Sequence, residues 1–254
     1  MSSAPLVSII TPARNAARTI EESIDSVTAQ SWQAWEMLVI DDASSDETPA
    51  IVARHADRDP RIHLLSLAHQ GGAAQARNAG LAAARGRFVA FLDADDLWMP
   101  EKLTRQLDFM QSGGHALSCT AFRRIPSEGG QPGRLIQVPE RLTYEGLLKN
   151  TAIASVTAMV DRDQTGAISF PEVNHEDYAL WLSLLKRGLA AGGLNEDLAR
   201  YRFARESLSG NKLRSALWVW QVYREVEQLG LLKSSWCLAN YGLNALRKRV
   251  GVSR

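Results

Sequence analysis

The first hundred residues alternate between two hydrophobic periods. Leu6-Val7-Ser8-Ile9-Ile10 is a short run rich in β-branched residues, the pattern of a buried strand. Ile20, Ile24 and Val27 then recur on one face of a helix reaching Gln30. The helix start carries a capping box, in which the Thr19 hydroxyl accepts from the Glu22 amide and the Glu22 carboxylate reaches back. Further strands are predicted at Glu36 to Ile40, Ile62 to Leu67 and Phe88 to Leu92. Between them stand a helix opened by Thr48-Pro49 and an alanine-rich helix from Ala73 to Ala84, preceded by Gly71-Gly72.

Strands alternating with helices through short loops predict an α/β fold, a Rossmann-like and mainly parallel sheet with helices on both faces. Ligands of such sheets sit outside the carboxyl ends of the strands. Three segments therefore carry the candidate chemistry: Thr11 to Asn15, Asp41 to Ser45 and Asp93 to Asp96.

Beyond Pro100 the pattern loosens. A helix to Met110 precedes a strand from Ala116 to Phe122 and a Gly/Pro-rich excursion from Pro126 to Gly133. A helix at Thr143 to Asn150, a strand at Ile153 to Val160 and a helix at Glu176 to Lys186 follow. The last is apolar on most sides, hence buried. After Gly210 a helical appendage is expected. Val219, Val222, Tyr223, Val226 and Leu229 make one apolar face, and Leu232, Trp236, Ala239, Leu243 and Leu246 a second. Arg247-Lys248-Arg249 and Arg254 give the chain a basic end. These helices either pack on the domain, attach to an anionic membrane surface or form a homo-oligomer interface.

Composition narrows the classes. A hydrophobic fraction of 45% and a charged fraction of 22% suit a globular chain with a sizeable core. A net charge of +1, with no Lys/Arg run in the first two hundred residues, argues against a nucleic-acid partner. Cys119 and Cys237 have no metal or redox spacing, and buried cytoplasmic thiols are expected. Met1-Ser2-Ser3-Ala4-Pro5 lacks the basic start of a signal peptide, and no apolar run approaches the roughly 20 residues of a membrane span. A cytoplasmic location is expected, with contact at the inner face of the cell membrane left open.

In Phe91-Leu92-Asp93-Ala94-Asp95-Asp96 three acids gather where a buried strand ends. Such clustering costs free energy unless a cation or hydrogen-bond donors offset it. Mg²⁺ is typically held by one or two carboxylates plus substrate phosphate oxygens and water, which two acids one residue apart would supply. Alternatively Asp95 or Asp96 caps a helix near Pro100.

The order of motifs separates these readings. Thr-Pro-Ala-Arg-Asn after the first strand, Asp-Asp-Ala-Ser-Ser-Asp after the second, Ala-Arg-Asn-Ala-Gly in the third helix and Phe-Leu-Asp-Ala-Asp-Asp resemble the family-2 inverting glycosyltransferases over residues 5 to 210. Leu142-Thr143-Tyr144, Lys149-Asn150-Thr151 and Trp181-Leu182-Ser183-Leu184-Leu185 are similar to its teichuronic acid, capsule, exopolysaccharide and O-antigen branch. The resemblance implies the fold called GT-A over residues 1 to 210, with a nucleotide-binding half (1 to 96), an acceptor half (97 to 210) and C-terminal helices from 211 to 254. It implies a nucleotide-diphosphate sugar donor, UDP-linked, and a saccharide or lipid-linked acceptor.

By the same resemblance Asp95 is the ligand of Mg²⁺ or Mn²⁺, with Asp93 beside it toward the ribose or a bound water. The Thr11, Pro12 and Ala13 backbone lines the nucleotide, with Arg14 and Asn15 following. Asp41 or Asp42 accepts from the uracil imide, and Arg77 reaches the base or the diphosphate. The family commonly has an aromatic at the place of Arg14. Asp177, in Asn174-His175-Glu176-Asp177, matches the family's general base, although acids in a helix's first turn also interact favourably with its dipole. Glu176, Trp181 and Arg202 are the candidate acceptor contacts, although the apolar helix around Trp181 favours a place for it in the core. Tyr201-Arg202 and Ser207-Leu208-Ser209 fit the family pattern, but its frequent metal-site His is replaced here by Ala204 or a neighbour.

Two other readings compete. A sugar nucleotidyltransferase needs a Gly-rich, Lys-containing loop near the first strand, which Thr11 to Asn15 is not. A catalytically silent carbohydrate- or membrane-binding subunit has no need of Asp93, Asp95 and Asp177 together.

Overall fold

The strands β1 (Val7–Ala13) and β2 (Trp35–Asp41) are buried along almost their whole length. Strands of that kind need cover on both faces and parallel neighbours joined by crossover helices. In the computed structural model, which describes residues 7–127, 130–203 and 212–250, both conditions hold. The helices α1 (Ile20–Thr28) and α2 (Thr48–Ala56), the strand β3 (Ile62–Ser66), the helix α3 (Gly72–Ala83) and the strand β4 (Phe88–Phe91) complete the parallel half, ordered β3-β2-β1-β4.

The chain continues through β5 (Leu97–Trp98), α4 (Lys102–Gly113), β6 (Leu117–Pro126), β7 (Leu135–Ile136), α5 (Tyr144–Leu147), β8 (Met159–Asp161), α6 (Arg162–Thr165), α7 (Glu176–Lys186) and β9 (Ala191–Phe203). These strands extend the sheet as β4-β8-β6-β9-β5, with β7 on β6. Here the pairing is mixed: β8 is antiparallel to both β4 and β6, β9 runs parallel to β6, and β5 is antiparallel to β9. The parallel expectation thus describes the first half of the sheet.

Alternate residues of β1 feed different cores. Ile10 joins Ile40, Phe91, Phe170 and Trp181 on one face; Ile9 joins Ile20, Val39, Val52 and Leu107 on the other. At Gly80 in α3, a Cβ would stand 2.7 Å from Ile10 Cγ2 and 2.7 Å from Ile40 Cδ1, so glycine lets this helix lie close on the sheet.

Three expectations are corrected. Ile153 to Val160 is not one strand: Ser155–Thr157 form a 3₁₀ turn before β8. The Thr157 hydroxyl and amide both donate to the Ala154 carbonyl, a local bond that competes with strand pairing. The helix expected from Thr143 to Asn150 is the short α5, with the Thr143 hydroxyl accepting from the Gly146 amide. The strand β9 was not anticipated.

The appendage comprises α8 (Lys212–Gln221), a π turn (Val222–Val226) and α9 (Leu231–Val250). Val219, Val222 and Tyr223 are buried against the domain, which is the first of the three alternatives for this face. The second predicted face does not pack: Leu232, Trp236, Ala239 and Leu243 are exposed, while Ser234 and Cys237 face inward. Cys119 and Cys237 are buried free thiols. Met1 to Leu6, Ala204, Ser207 to Ser209 and Arg254 lie outside the described residues, as do the side chains of Leu246 and Arg247 to Arg249.

Candidate active site

Because β1, β2 and β4 are parallel, the loops that follow them emerge on one edge of the sheet. Hydrogen bonds join these loops. The Asn15 amide donates to Ser44 Oγ at 2.9 Å, and Asn15 Oδ1 accepts from the Ser45 amide at 2.9 Å. The Ala16 amide donates to Thr48 Oγ1 at 2.8 Å. Asn15 therefore pins one loop to the next, in the left-handed backbone conformation (φ 48°) that asparagine tolerates better than most side chains. Thr11 and Ala13 are buried in the sheet, Pro12 is half-buried and Arg14 is exposed.

Asp41 and Asp42, both buried, have different surroundings. Asp42 accepts from the amides of Gly71 (2.6 Å) and Gly72 (2.9 Å), fixing the turn that enters α3. Asp41 accepts from the Ser44 amide through Oδ2 at 3.3 Å, while its Oδ1 is buried without a partner. A buried oxygen in that state costs free energy unless a ligand donor reaches it.

The acidic loop after β4 is braced by the first helix and the last strand. Thr19 Oγ1 donates to the Ala94 carbonyl at 2.9 Å and Ser23 Oγ to the Asp96 carbonyl at 2.8 Å. The expected capping box is therefore absent: Thr19 spends its hydroxyl on the loop, and Glu22 pairs with Arg202 at 2.6 Å. Arg202, in β9, donates from its amide to Asp96 Oδ1 (2.7 Å) and from Nε to the Asp95 carbonyl (2.6 Å). Asp96 is consequently no helix cap; α4 begins after Glu101. Burial, then the charges of Asp93 and Asp95, push the Asp96 carboxyl well above the usual range. Desolvation and the neighbouring Asp93 charge also raise Asp95, which is exposed.

Arg77 connects this loop to the other half of the site. Its Nη2 donates to Asp93 Oδ1 and its Nη1 to Glu176 Oε1, both at 2.6 Å, with the guanidinium lying over the Phe170 ring. Burial alone would lower its pKa, but Asp93, Glu176 and Asp177 outweigh burial and raise it.

Glu176 and Asp177 open α7. His175, in a left-handed conformation (φ 59°), turns the chain into that helix and sets its ring edge-on to Trp218 at 5.5 Å. Asp177 Oδ2 accepts from Ser155 Oγ at 2.8 Å and Oδ1 from the Tyr178 amide at 2.7 Å, so its carboxylate orientation is fixed. Of the candidate acceptor contacts, Trp181 takes its core alternative, and Arg202 is bonded within the site. Trp181 is fully buried, edge-on to Phe91 and Phe170, and Arg202 is committed to the acidic loop and Glu22. Sequence reading missed the bracing roles of Ser23 and Ser155, for which no periodicity or motif gave a signal.

The donor set fits a divalent cation shared with a diphosphate. Among the described residues no three His, Cys, Asp or Glu side chains gather closely enough to hold a metal alone. Asp95, raised by desolvation and by the Asp93 charge and exposed on this edge of the sheet, is the side chain a cation would relieve, with phosphate and water oxygens completing the shell.

Comparison with known proteins gives a consistent result. The model of "Glycosyl transferase family 2" matches residues 8–167. The chain is 46% identical to TuaG of Bacillus subtilis, a glycosyltransferase assigned to teichuronic acid biosynthesis, over 97% of this chain and 98% of that one. It is 38% identical to WfgD of Escherichia coli, a UDP-Glc:alpha-D-GlcNAc-diphosphoundecaprenol beta-1,3-glucosyltransferase, over 96% and 94%. The mannosyltransferase PcManGT of Pyrobaculum calidifontis, solved with GDP-Man and Mn²⁺, superposes with a TM-score of 0.72 at 20% identity, over 100% of this chain and 77% of that one, and supports the GT-A-like fold. With the family's model spanning the loops after β1, β2 and β4 and near-full-length relatives among its transferases, the chain belongs to glycosyl transferase family 2 and is a glycosyltransferase.

Proposed function

We propose that this enzyme transfers a sugar, with inversion, from a UDP-sugar to a lipid-linked saccharide in bacterial surface polysaccharide synthesis. The observation that carries the reading is the Arg77 fork, which holds the acidic loop after β4 beside the carboxylates that open α7. Donor and acceptor machinery thereby share one cleft. The two near-full-length relatives, one named for teichuronic acid and one for a diphosphoundecaprenol-linked acceptor, support the substrate classes.

On the donor side, Asp41 Oδ1 accepts from the uracil imide, while Asp42 is occupied in shaping the Gly71-Gly72 turn. Asp95, supported by Asp93, would hold Mg²⁺ or Mn²⁺, and such an ion would supply neutralisation of the charge that builds on the leaving diphosphate. On the acceptor side, Asp177 takes the proton of the attacking hydroxyl. The new bond forms from the acceptor oxygen to the anomeric carbon as the bond to the diphosphate oxygen breaks on the opposite face, and UDP departs with the electron pair. Ser155 aims the Asp177 carboxylate for this step.

The Asp177→Asn variant tests the assignment. It is expected to keep UDP affinity and lose about 10²–10⁴ in kcat. Unchanged transfer would remove Asp177 from the mechanism, and full inactivity of the wild type toward every UDP-sugar would favour the silent-subunit reading.

A further inference from the structure

The helix α9 presents an apolar stripe to solvent. Leu232, Trp236, Ala239 and Leu243 follow one another by four, three and four residues, so they lie in one row. Leu232 is 90% exposed, Trp236 64% and Leu243 53%. The helix itself is anchored by its other side. Ser234 and Cys237 are buried, Asn244 Nδ2 donates to the Lys149 carbonyl at 2.9 Å, and Lys233 pairs with Glu145 at 2.7 Å. A row of this kind, which no described residue covers, on a helix already fixed to its domain suits a contact with something outside the chain.

Such a row suits a second copy of the helix or a lipid surface, and charge separates the two. Besides Lys233, which Glu145 answers, residues 231 to 250 contain Arg247, Lys248 and Arg249 and no Asp or Glu. Pairing two of these helices would bring like charges together with no carboxylate of either helix to answer them, whereas helical pairs normally flank their seam with both signs. An anionic bilayer supplies the missing charge. Tryptophan is favoured at the headgroup boundary, and an amphipathic helix with an apolar face and a basic complement lies in that plane. Among the described residues no helix is long and apolar enough to cross a membrane, which leaves contact in the plane.

We propose that α9 docks on anionic phospholipid, with Leu232, Trp236 and Leu243 entering the boundary between headgroups and acyl chains and the basic C-terminal turns meeting the lipid phosphates. The placement serves the reaction. α8 packs against α9 and sets Trp218 against His175, immediately before Glu176 and Asp177. The helices that hold the bilayer therefore adjoin the acceptor side of the cleft. The inference deepens the lipid-linked acceptor reading but stands on α9 alone, so vesicle binding and UDP binding test the two separately.

The test is cosedimentation of the whole chain with vesicles of phosphatidylcholine alone or mixed with phosphatidylglycerol. Wild type is expected to pellet with the anionic vesicles, far less with the neutral ones, and to be released as salt rises. The triple variant Leu232→Ser, Trp236→Ser, Leu243→Ser is expected to lose at least about tenfold in vesicle affinity with UDP binding and thermal stability retained. Arg247→Glu with Arg249→Glu is expected to abolish the preference for anionic lipid with the apolar row intact. The proposal is overturned if the triple variant binds vesicles as the wild type does, or if the wild type ignores both vesicles. It is equally overturned if the wild type is a dimer that the triple variant converts to a monomer without any vesicle binding.

Discussion

Arg77 Nη1 donates to Glu176 Oε1 at 2.6 Å across 99 positions of sequence, and this bond fastens the helix that carries the proposed base to the nucleotide-binding half. The same guanidinium holds Asp93, so a single cation answers carboxylates on both sides of the cleft. Arg77→Met should therefore destabilise the fold by about 3–5 kcal/mol, the usual cost of stripping one partner from a buried ionic cluster. Arg77→Lys, a cation without the planar fork, should recover only part of that loss. Urea unfolding of the three proteins measures this, and equal stability of Arg77→Met and wild type would refute the clamp.

Gly80 yields a prediction about packing rather than charge. Since its Cβ would meet both Ile10 and Ile40, Gly80→Ala should destabilise by about 1–3 kcal/mol despite alanine's better helix propensity. Thermal unfolding should show the loss. A stabilised variant would mean that α3 can move off the sheet without penalty.

Lys102 supplies a pH dependence remote from the cleft. It is fully buried, donates to Gln106 Oε1 at 2.7 Å and lies over the Trp98 ring. Burial pushes its pKa down from 10.5 to about 7. With the folded value depressed, the unfolded chain binds the extra proton between those limits. The contribution of neutral Lys102 is thus full above 10.5 and is lost as pH falls toward 7. Wild-type stability should rise with pH through this window by at most about 1.4 kcal/mol per unit from this group. Lys102→Met should flatten that slope in urea titrations, and an unchanged slope would show that the ammonium stays charged in the fold.

The parallel half of the sheet could be read from the sequence because its signals are local. Ile9 and Ile10, Ile20 with Ile24 and Val27, and the acids after Leu92 announce element and candidate site within a few residues of each other. What the sequence hid depends on distant partners. Thr19 and Glu22 have capping-box spacing, yet Ala94 and Arg202, remote in sequence, claim their side chains. Asp96 looked like a helix cap because the amide it accepts from belongs to Arg202, 106 residues away. Strand β9 lacks clean alternation, and its Gly193 owes its identity to the Pro139 carbonyl, which a Cβ would approach to 2.3 Å. Trp181 could be placed on a helix from sequence, but only the packing of Phe91 and Phe170 around it shows that no face is left for a sugar.

The proposed mechanism turns on Asp95 as the residue that would hold a divalent cation at the diphosphate of a uridine donor. Calorimetric titration of UDP into the wild type and Asp95→Asn, with Mn²⁺ and then with chelator, tests it most directly. Tight binding is expected of the wild type with Mn²⁺, with a loss of at least about tenfold on chelation and a similar loss for Asp95→Asn that added Mn²⁺ does not restore. UDP affinity that is indifferent both to the chelator and to the loss of the Asp95 charge would contradict it.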